Sequence, residues 1–375
     1  MVRAKDDLFN ELQSVRGWMV IMLTIAHSWA YYDMPKWFQT VEKLNNGHAR
    51  VVAFFVLSGY VVTLGLKKVR LDRNNVIAFY AKRAFRLYPA MFLANTLGLI
   101  YVASLHYQIP VNDTSQWLQE RYREDRYGPL WIALSFAGLA SFLVPPLWTL
   151  TIELFLSALM PIIAWLTRLK PMHYALATLA TMIVAVTVGH KTPYYVGIYL
   201  PAFMLGAGIS VIPESIGRRI RSLGAWRWFI LLGSMLTCFC ARWALGTDYH
   251  DKWEAQLEAV AAFSMFTVLV KSDLRVKFLL WKPTIFLGNI SFSIYLLHFT
   301  VLAVVAKIFE LTDVREVEVL WRGMLLAGVT VVLTIPLAWV SYRVAELPGM
   351  SVGRRVSAWI KDLGKGGGQP LHAHI

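Results

Sequence analysis

Stretches of apolar residues, each close to the twenty or so needed to cross a bilayer core, recur along the whole of this chain. Ten such runs are predicted, at about 15–32, 50–66, 86–104, 146–167, 172–189, 194–212, 227–245, 255–270, 283–307 and 320–342. A backbone in lipid must satisfy its own N–H and C=O groups, and runs of this length do so as helices. The expected fold is therefore all-α, a polytopic membrane bundle of about ten transmembrane helices. One domain is expected over residues 1–350, followed by a cytoplasmic tail, 351–375, whose glycine-rich end (Gly364–Gly368) is expected to be disordered. The segment 130–144 is also apolar but short. Gly128, Pro129 and Gly138 interrupt it and Pro145–Pro146 close it, which predicts a re-entrant or interfacial piece.

Composition agrees. Of 375 residues, 57% are hydrophobic and only 16% charged, whereas soluble domains carry about a quarter charged residues. Fifteen Trp, sixteen Tyr and twenty Phe suit a protein with two membrane–water interfaces to anchor. The net charge of +14 raises the question of nucleic acid, but the basic residues sit in short clusters between apolar runs and form no continuous basic face. Nucleic-acid binding is not expected, and a lipid bilayer is. Cys238 and Cys240 lie in one apolar run at a spacing that fits no metal framework, so they read as buried apolar residues and no metal is predicted. The polar start, Met1 to Ser14, predicts no cleavable leader. With no soluble domain read at either end, the chemistry is expected inside the bundle.

The loops give an orientation. One alternate set holds Lys67, Lys68, Arg70, Arg73, Lys82 and Arg83, then Arg168 and Lys170, then Arg218, Arg219 and Arg221, then Lys271, Arg275, Lys277 and Lys282, and finally Arg343, Arg354, Arg355, Lys361 and Lys365. The other set is acidic: Asp113, Glu120, Glu124 and Asp125; Asp248, Asp251 and Glu254; Glu310, Asp313, Glu316 and Glu318. Lys and Arg stay on the cytoplasmic side of short loops, so both termini are expected in the cytoplasm and the chain in the inner membrane.

Charge at membrane depth costs several kcal/mol and tends to mark a site. In the first run, Arg16 and His27 are eleven residues apart, about three turns, and so share one helix face about 16 Å apart along the axis. Each has a structural reading too, as a snorkelling Arg and a hydrogen-bonded core His. Ser58 and Gly59 in Phe54-Phe55-Val56-Leu57-Ser58-Gly59 suit either close helix packing or the passage of a ligand chain beside the backbone. Arg83 and Arg86 share a face at the cytoplasmic entry of the third run, where they fit both a phosphate clamp and the topological rule. Glu153, two turns into the fourth run, needs a basic or His partner. Asn289, Ser293 and His298 are spaced to line one polar stripe in the ninth. Arg242, Glu258 and Lys307 also fall in or near spans and stay unassigned.

Six segments, in order over about 330 residues, resemble the acyltransferase-3 family of membrane acyltransferases. They are Arg16 to His27, Phe54 to Gly59, Arg83-Ala84-Phe85-Arg86-Leu87-Tyr88-Pro89, Leu147 to Glu153, Ile290 to His298, and Ser341 to Pro348. One departure is Gln13, where an Asp is usual in the family. The resemblance implies ten spans, an acyl-coenzyme A donor (acetyl-CoA in the usual case) on the cytoplasmic side, and a carbohydrate or glycolipid acceptor on the far side. It also implies functional roles for Arg16, His27, Arg83 and Arg86.

The mechanism expected on that basis is direct transfer within the bundle. Arg83, Arg86 and Arg16 hold the coenzyme A phosphates, with Ser58 and Gly59 along the donor's path. His27 acts as general base on the acceptor hydroxyl, since an unperturbed imidazole near pKa ~6.5 suits the task. Glu153 or His298 fixes its tautomer. Ser58, Tyr295 or Asn289 offers a donor to the oxyanion. A covalent acyl-His27 route is the mechanistic alternative. A multi-pass transporter of a small solute or lipid-linked glycan is the functional one, although matched Gly/Pro-broken spans in two halves are not seen. Uptake of labelled solute into vesicles separates the two classes: an acyltransferase accumulates none.

Overall fold

The computed structural model describes residues 5–106, 111–122, 128–246, 251–272 and 274–363. Glu124, Asp125, Asp248 and the tract Gly364–Gly368, all read above, lie outside these residues. Among the described residues the chain is helical throughout, without a strand. Its helices are α1 (Lys5–Trp29), α2 (Lys36–Leu44), α3 (Gly47–Lys67), α4 (Arg73–Tyr101), α5 (Gln116–Arg121), α6 (Pro129–Phe136), α7 (Trp148–Leu166) and α8 (Pro171–Val188). They continue as α9 (Val196–Gly208), α10 (Glu214–Ser222), α11 (Trp226–Leu245), α12 (Lys252–Lys271), α13 (Lys282–Asn289), α14 (Ser291–Glu310), α15 (Val319–Ser341) and α16 (Leu347–Leu363).

Eight helical segments among the described residues are long and apolar enough to cross a membrane. Two of the ten expected runs fall outside that set, for different reasons. The first, α1, opens with Asp6 and Asp7 and carries Arg16 inside its apolar stretch. The other, α9, has only 13 residues, but they are wedged between α3, α7, α8 and α12, with Phe203 fully buried. Large apolar side chains on α8 and α11, among them Leu176, Leu179, Ile183, Phe229, Leu232 and Leu236, point outward in numbers that water would not tolerate. Lipid is the solvent that accepts them.

The helix starts are written locally. Asn46 caps α3 by accepting from the Ala49 amide at 3.2 Å, Asp72 caps α4 through Asn75 at 2.9 Å, and Asp251 caps α12 through Trp253 and Glu254 at 2.8 Å. Pro89, Pro161, Pro201 and Pro336 sit inside helices, as helices packed in a membrane allow.

Contacts sort the loops into two groups. Lys67 reaches the Ser210 carbonyl at 3.1 Å, Arg168 that of Val69 at 2.8 Å and Lys271 that of Ile212 at 3.2 Å, while Asp7 pairs with Arg275 at 3.6 Å. In the other group the Asp33 amide meets the Asp113 carbonyl at 2.7 Å, Asn112 meets Glu310 at 3.1 Å, and buried Arg322 pairs with Asp113. These are the basic and acidic sets of the sequence.

Three expectations change. The ninth run is not one helix: the chain breaks at Ile290 (φ −95°, ψ 5°), which separates α13 from α14. Residues 351–363, expected as the start of the tail, belong to a helix, α16, that begins at Leu347 and lies antiparallel along α4. Cys238 and Cys240 are half-buried, not buried. The segment 130–144 crosses nothing. Its helix α6 has 8 residues, and Asn95 of α4 holds it by donating to the Ser135 carbonyl at 2.9 Å.

Glycines set the closest helix contacts. A Cβ on Gly206 of α9 would lie 1.9 Å from the Val56 carbonyl oxygen of α3, and one on Gly59 would lie 2.3 Å from that of Phe203. Gly288 of α13 meets Gln13 of α1 in the same way, at 2.1 Å. A Gly206→Ala variant is expected to lose about 1–3 kcal/mol of stability in detergent melting, as over-packed contacts do. Gly233→Ala on α11, where a Cβ meets nothing within 4 Å, should melt within about 0.5 kcal/mol of the parent.

Candidate active site

Helices α1, α3, α4, α7, α14 and α16 surround a cavity of about 510 Å³. Its α4 wall is Asn75, Ala78, Phe79, Lys82, Arg83, Arg86 and Leu87, a three–four spacing that turns one helix face inward. Across it stand Gln13 and Arg16 of α1, Ser58, Val61 and Val62 of α3, Thr149 and Glu153 of α7, and Tyr295 of α14. Five basic side chains (Arg16, Lys82, Arg83, Arg86 and Lys361) line it against one carboxylate, Glu153. The surplus of positive charge in an enclosed space is a receptor for an anion.

The arginines are not equivalent. Arg83 donates to Glu153 at 2.5 Å, so the partner that Glu153 requires is Arg83, seventy residues earlier in the chain. Among the described residues, Arg16 has only the Gln13 amide oxygen, at 3.2 Å, and Arg86 contacts Met350 Sδ at 2.7 Å. Arg86, Glu153, Glu346 and Arg83 are the neighbours that act electrostatically on Arg16. Glu346 is fully buried and accepts from Ser293 at 2.6 Å. Sequence reasoning gave Glu346 no role, and its only signal was its place in the matching segment Ser341 to Pro348. Planar donors short of carboxylate partners, as on Arg16 and Arg86, are suited to bidentate contact with phosphate.

His27 is not part of the lining of this cavity. Its Nδ1 is 2.8 Å from His298 Nε2, and the two rings stack with centroids 5.1 Å apart. The other nitrogen of His298, Nδ1, faces the carbonyl oxygens of Tyr295 at 2.8 Å and Ile294 at 3.2 Å. Carbonyls only accept, so His298 Nδ1 carries the proton and its Nε2 is the acceptor. His27 Nδ1 must then donate, which leaves the lone pair of a neutral His27 on Nε2. The tautomer of His27 is thus set by His298, and Glu153 is committed elsewhere.

The His27 ring lines a narrow crevice of about 10 Å³ with Trp117, Arg121, Pro145, Pro146, Trp148 and Phe299. Trp117 stacks on His27 at 5.7 Å. Trp148 belongs to this crevice while Thr149, the next residue, lines the large cavity, so the start of α7 borders both spaces. The Thr149 and Tyr295 hydroxyls meet there at 2.5 Å, and Tyr295 also donates to the Pro146 carbonyl.

Ser58 lines the cavity, whereas Gly59 faces α9 and serves packing. The polar stripe does not form: Asn289 is exposed on the far side of the Ile290 break, Ser293 turns to Glu346 and His298 to His27. Two of the three unassigned charges, Lys307 and Glu258, find places. Lys307 donates to the His106 carbonyl at 2.9 Å. Glu258 accepts from His48 Nδ1 and from Asn46, both at 2.6 Å, and His48 Nε2 meets the Tyr199 hydroxyl at 2.8 Å. With Glu254, these form the one group of metal-ligand type among the described residues, its ligand atoms within 4.8 Å of one another. Hydrogen bonds already occupy both nitrogens of His48, and the group ties the start of α3 to α12 and α9.

Comparison with known proteins places this geometry. Residues 9–343 match the family model described as "Acyltransferase domain", that of the acyltransferase-3 family. The chain is 24% identical over 375 residues to "O-acetyltransferase OatA" of Staphylococcus aureus (strain NCTC 8325 / PS 47), covering 93% of this chain and 58% of that protein. The same figures hold for the protein of that name from strain COL. It is 23% identical over 298 residues to "Putative acetyltransferase ORF330" of Acidianus two-tailed virus, covering 76% of this chain and 81% of the viral protein. The chain thus spans a little over half the length of its staphylococcal relatives. No solved structure matches.

The pairing of Arg83 with Glu153 can be tested without any substrate. Glu153→Ala should lower stability in detergent by about 1–3 kcal/mol, below the full cost of breaking a buried pair because both side chains are partly accessible. The reversed pair Arg83→Glu/Glu153→Arg should recover part of the loss in the same melting measurement.

Proposed function

Because this chain belongs to the acyltransferase-3 family of membrane acyltransferases, we propose that it moves an acetyl group from cytoplasmic acetyl-CoA to a hydroxyl of a carbohydrate or glycolipid beyond the membrane. Ten helical crossings of the inner membrane, with the basic loops and both termini in the cytoplasm, accompany this reading. Its support is the agreement between the charge of each loop set and the contacts that gather it.

One observation carries the chemistry: Tyr295 lines the positively charged cavity, and its ring lies 5.8 Å from that of His298, the residue that holds His27 Nδ1. Arg16 and Arg86 take the diphosphate of the donor, and Arg83 joins them, oriented by Glu153. The pantetheine arm passes Ser58 toward the Thr149–Tyr295 contact, which must part to admit the thioester. The acceptor arrives from the opposite side, against Trp117 and Trp148, whose apolar faces suit a sugar ring.

His27 Nε2 then removes the proton from the acceptor hydroxyl, and the oxygen attacks the thioester carbonyl carbon. The C–S bond breaks, and the departing thiolate takes the proton back from His27 Nε2. During this cycle the imidazolium is stabilised through Nδ1–H, which donates to His298. His298 is a positioning residue, because it acts through His27. O-acetyltransferase is what the staphylococcal relatives are named, and that supports acetyl as the group and a hydroxyl as its destination.

Membranes that contain the chain should transfer label from radioactive acetyl-CoA to a glycan fraction. His27→Ala, at equal abundance, should lose at least a hundredfold of that rate, about the least that a general base contributes. Equal labelling by both proteins would remove His27 from the chemistry.

A further inference from the structure

Two lysines of the cavity are left over by the reading above. Lys82 and Lys361 line it, and neither has a hydrogen-bond or ion-pair partner among the described residues. Topology explains why basic residues lie at this depth, but it does not choose their direction. On α16 the choice is plain: Arg354 and Arg355 are exposed away from the cavity, while Lys361 is half-buried in its wall.

The direction is built into the helix. Gly349, Gly353, Ser357 and Lys361 recur every four residues, a row that turns by about 40° per step, so it begins against α4 and ends with Ser357 and Lys361 in the cavity lining. A Cβ on Gly349 would lie 2.4 Å from the Phe85 carbonyl oxygen, and one on Gly353 would lie 2.8 Å from Phe85 Cβ and 3.4 Å from the Lys82 carbonyl oxygen. These two glycines let α16 lie flush on α4, and the fourth member of the same stripe is delivered to the cavity mouth.

Gly353 is level with Lys82 and Phe85, next to Arg83. Eight further residues carry Lys361 about 12 Å outward from that level. The cavity therefore has an inner tier of planar guanidinium groups, with Lys82 at the same level, and a single outer ammonium group, that of Lys361. A ligand matched to both carries two separate phosphate groups across a nucleoside, met from either end by long side chains. Bidentate arginines suit the bridging diphosphate, and a point charge on a flexible stem suits a terminal monophosphate.

We propose that Lys361 forms a second phosphate subsite that reads the 3′-phosphate on the ribose of a coenzyme A donor, and so selects the full coenzyme over donors that lack this group. The subsite rests on the donor reading given above, and its test keeps the two apart. Radiolabelled acetyl-CoA is bound to the purified full chain in detergent and competed with coenzyme A or 3′-dephospho-coenzyme A, which requires no acceptor.

The parent should prefer coenzyme A by roughly tenfold to a hundredfold, the contribution of one charge-assisted contact. Lys361→Ala should lose most of that preference by weakening coenzyme A alone. Lys361→Arg should keep it, as should Arg354→Ala. Equal competition by the two nucleotides in the parent, or a Lys361→Ala protein that weakens both alike, would overturn the subsite while leaving the donor reading in place. Failure of the parent to bind acetyl-CoA at all would overturn the donor reading, and the subsite with it.

Discussion

Three guanidinium groups within a membrane bundle must be surrounded by protein, and the arrangement of the helices around the cavity follows from that requirement. Lipid offers an arginine nothing, so Arg16, Arg83 and Arg86 are turned inward and share Glu153 and Glu346 as the nearby anions. Two carboxylates against three guanidinium groups leave a surplus of one, before Lys82 and Lys361 are counted. A fold that required only neutrality would have paired them all. The residual charge is a standing attraction for an anionic ligand, and it lies in the wall that opens toward the basic loops.

The same bundle holds a second, apolar environment a short distance away. His27 is packed between the Trp117 ring and His298, and two backbone carbonyls at the other end of His298 decide where each proton sits. With one proton on each ring, this arrangement adds no charge in the membrane, and each N–H faces an acceptor. Between the charged cavity and this pair stands the contact of Thr149 with Tyr295. The division sets a large charged cavity apart from a narrow crevice around His27, and exclusion of water from the latter is useful where a thioester must react with a sugar.

Much of this was legible in the sequence, and the parts that were not share a cause. Helical periodicity alone puts Arg16 and His27 on one face, and likewise Arg83 and Arg86, because both relations are local. That Glu153 needs a partner also follows from burial, but the choice of Arg83 depends on how α4 meets α7, which no local spacing encodes. His298 was one of two candidates for fixing the His27 tautomer, and the packing of α14 against α1 selected it. The break at Ile290 escaped notice because the run 283–307 stays apolar through it, so hydropathy is silent where the backbone turns. Gly59 admitted two readings, and the approach of Phe203 favours packing. Lys361 read as tail because α16 carries many polar and charged residues, and its cavity face appears only once Gly349 and Gly353 are seen against α4.

The central claim is that acyl transfer crosses the membrane through the bundle, with the donor entering from the arginine side and the acceptor meeting His27 from the other. Sealed proteoliposomes of known protein orientation test it directly, with labelled acetyl-CoA outside at the face of the basic loops and a sugar acceptor trapped within. The account predicts labelled acceptor in the lumen and free coenzyme A outside, with the vesicles still sealed. Label that appears only when donor and acceptor share one compartment would contradict it.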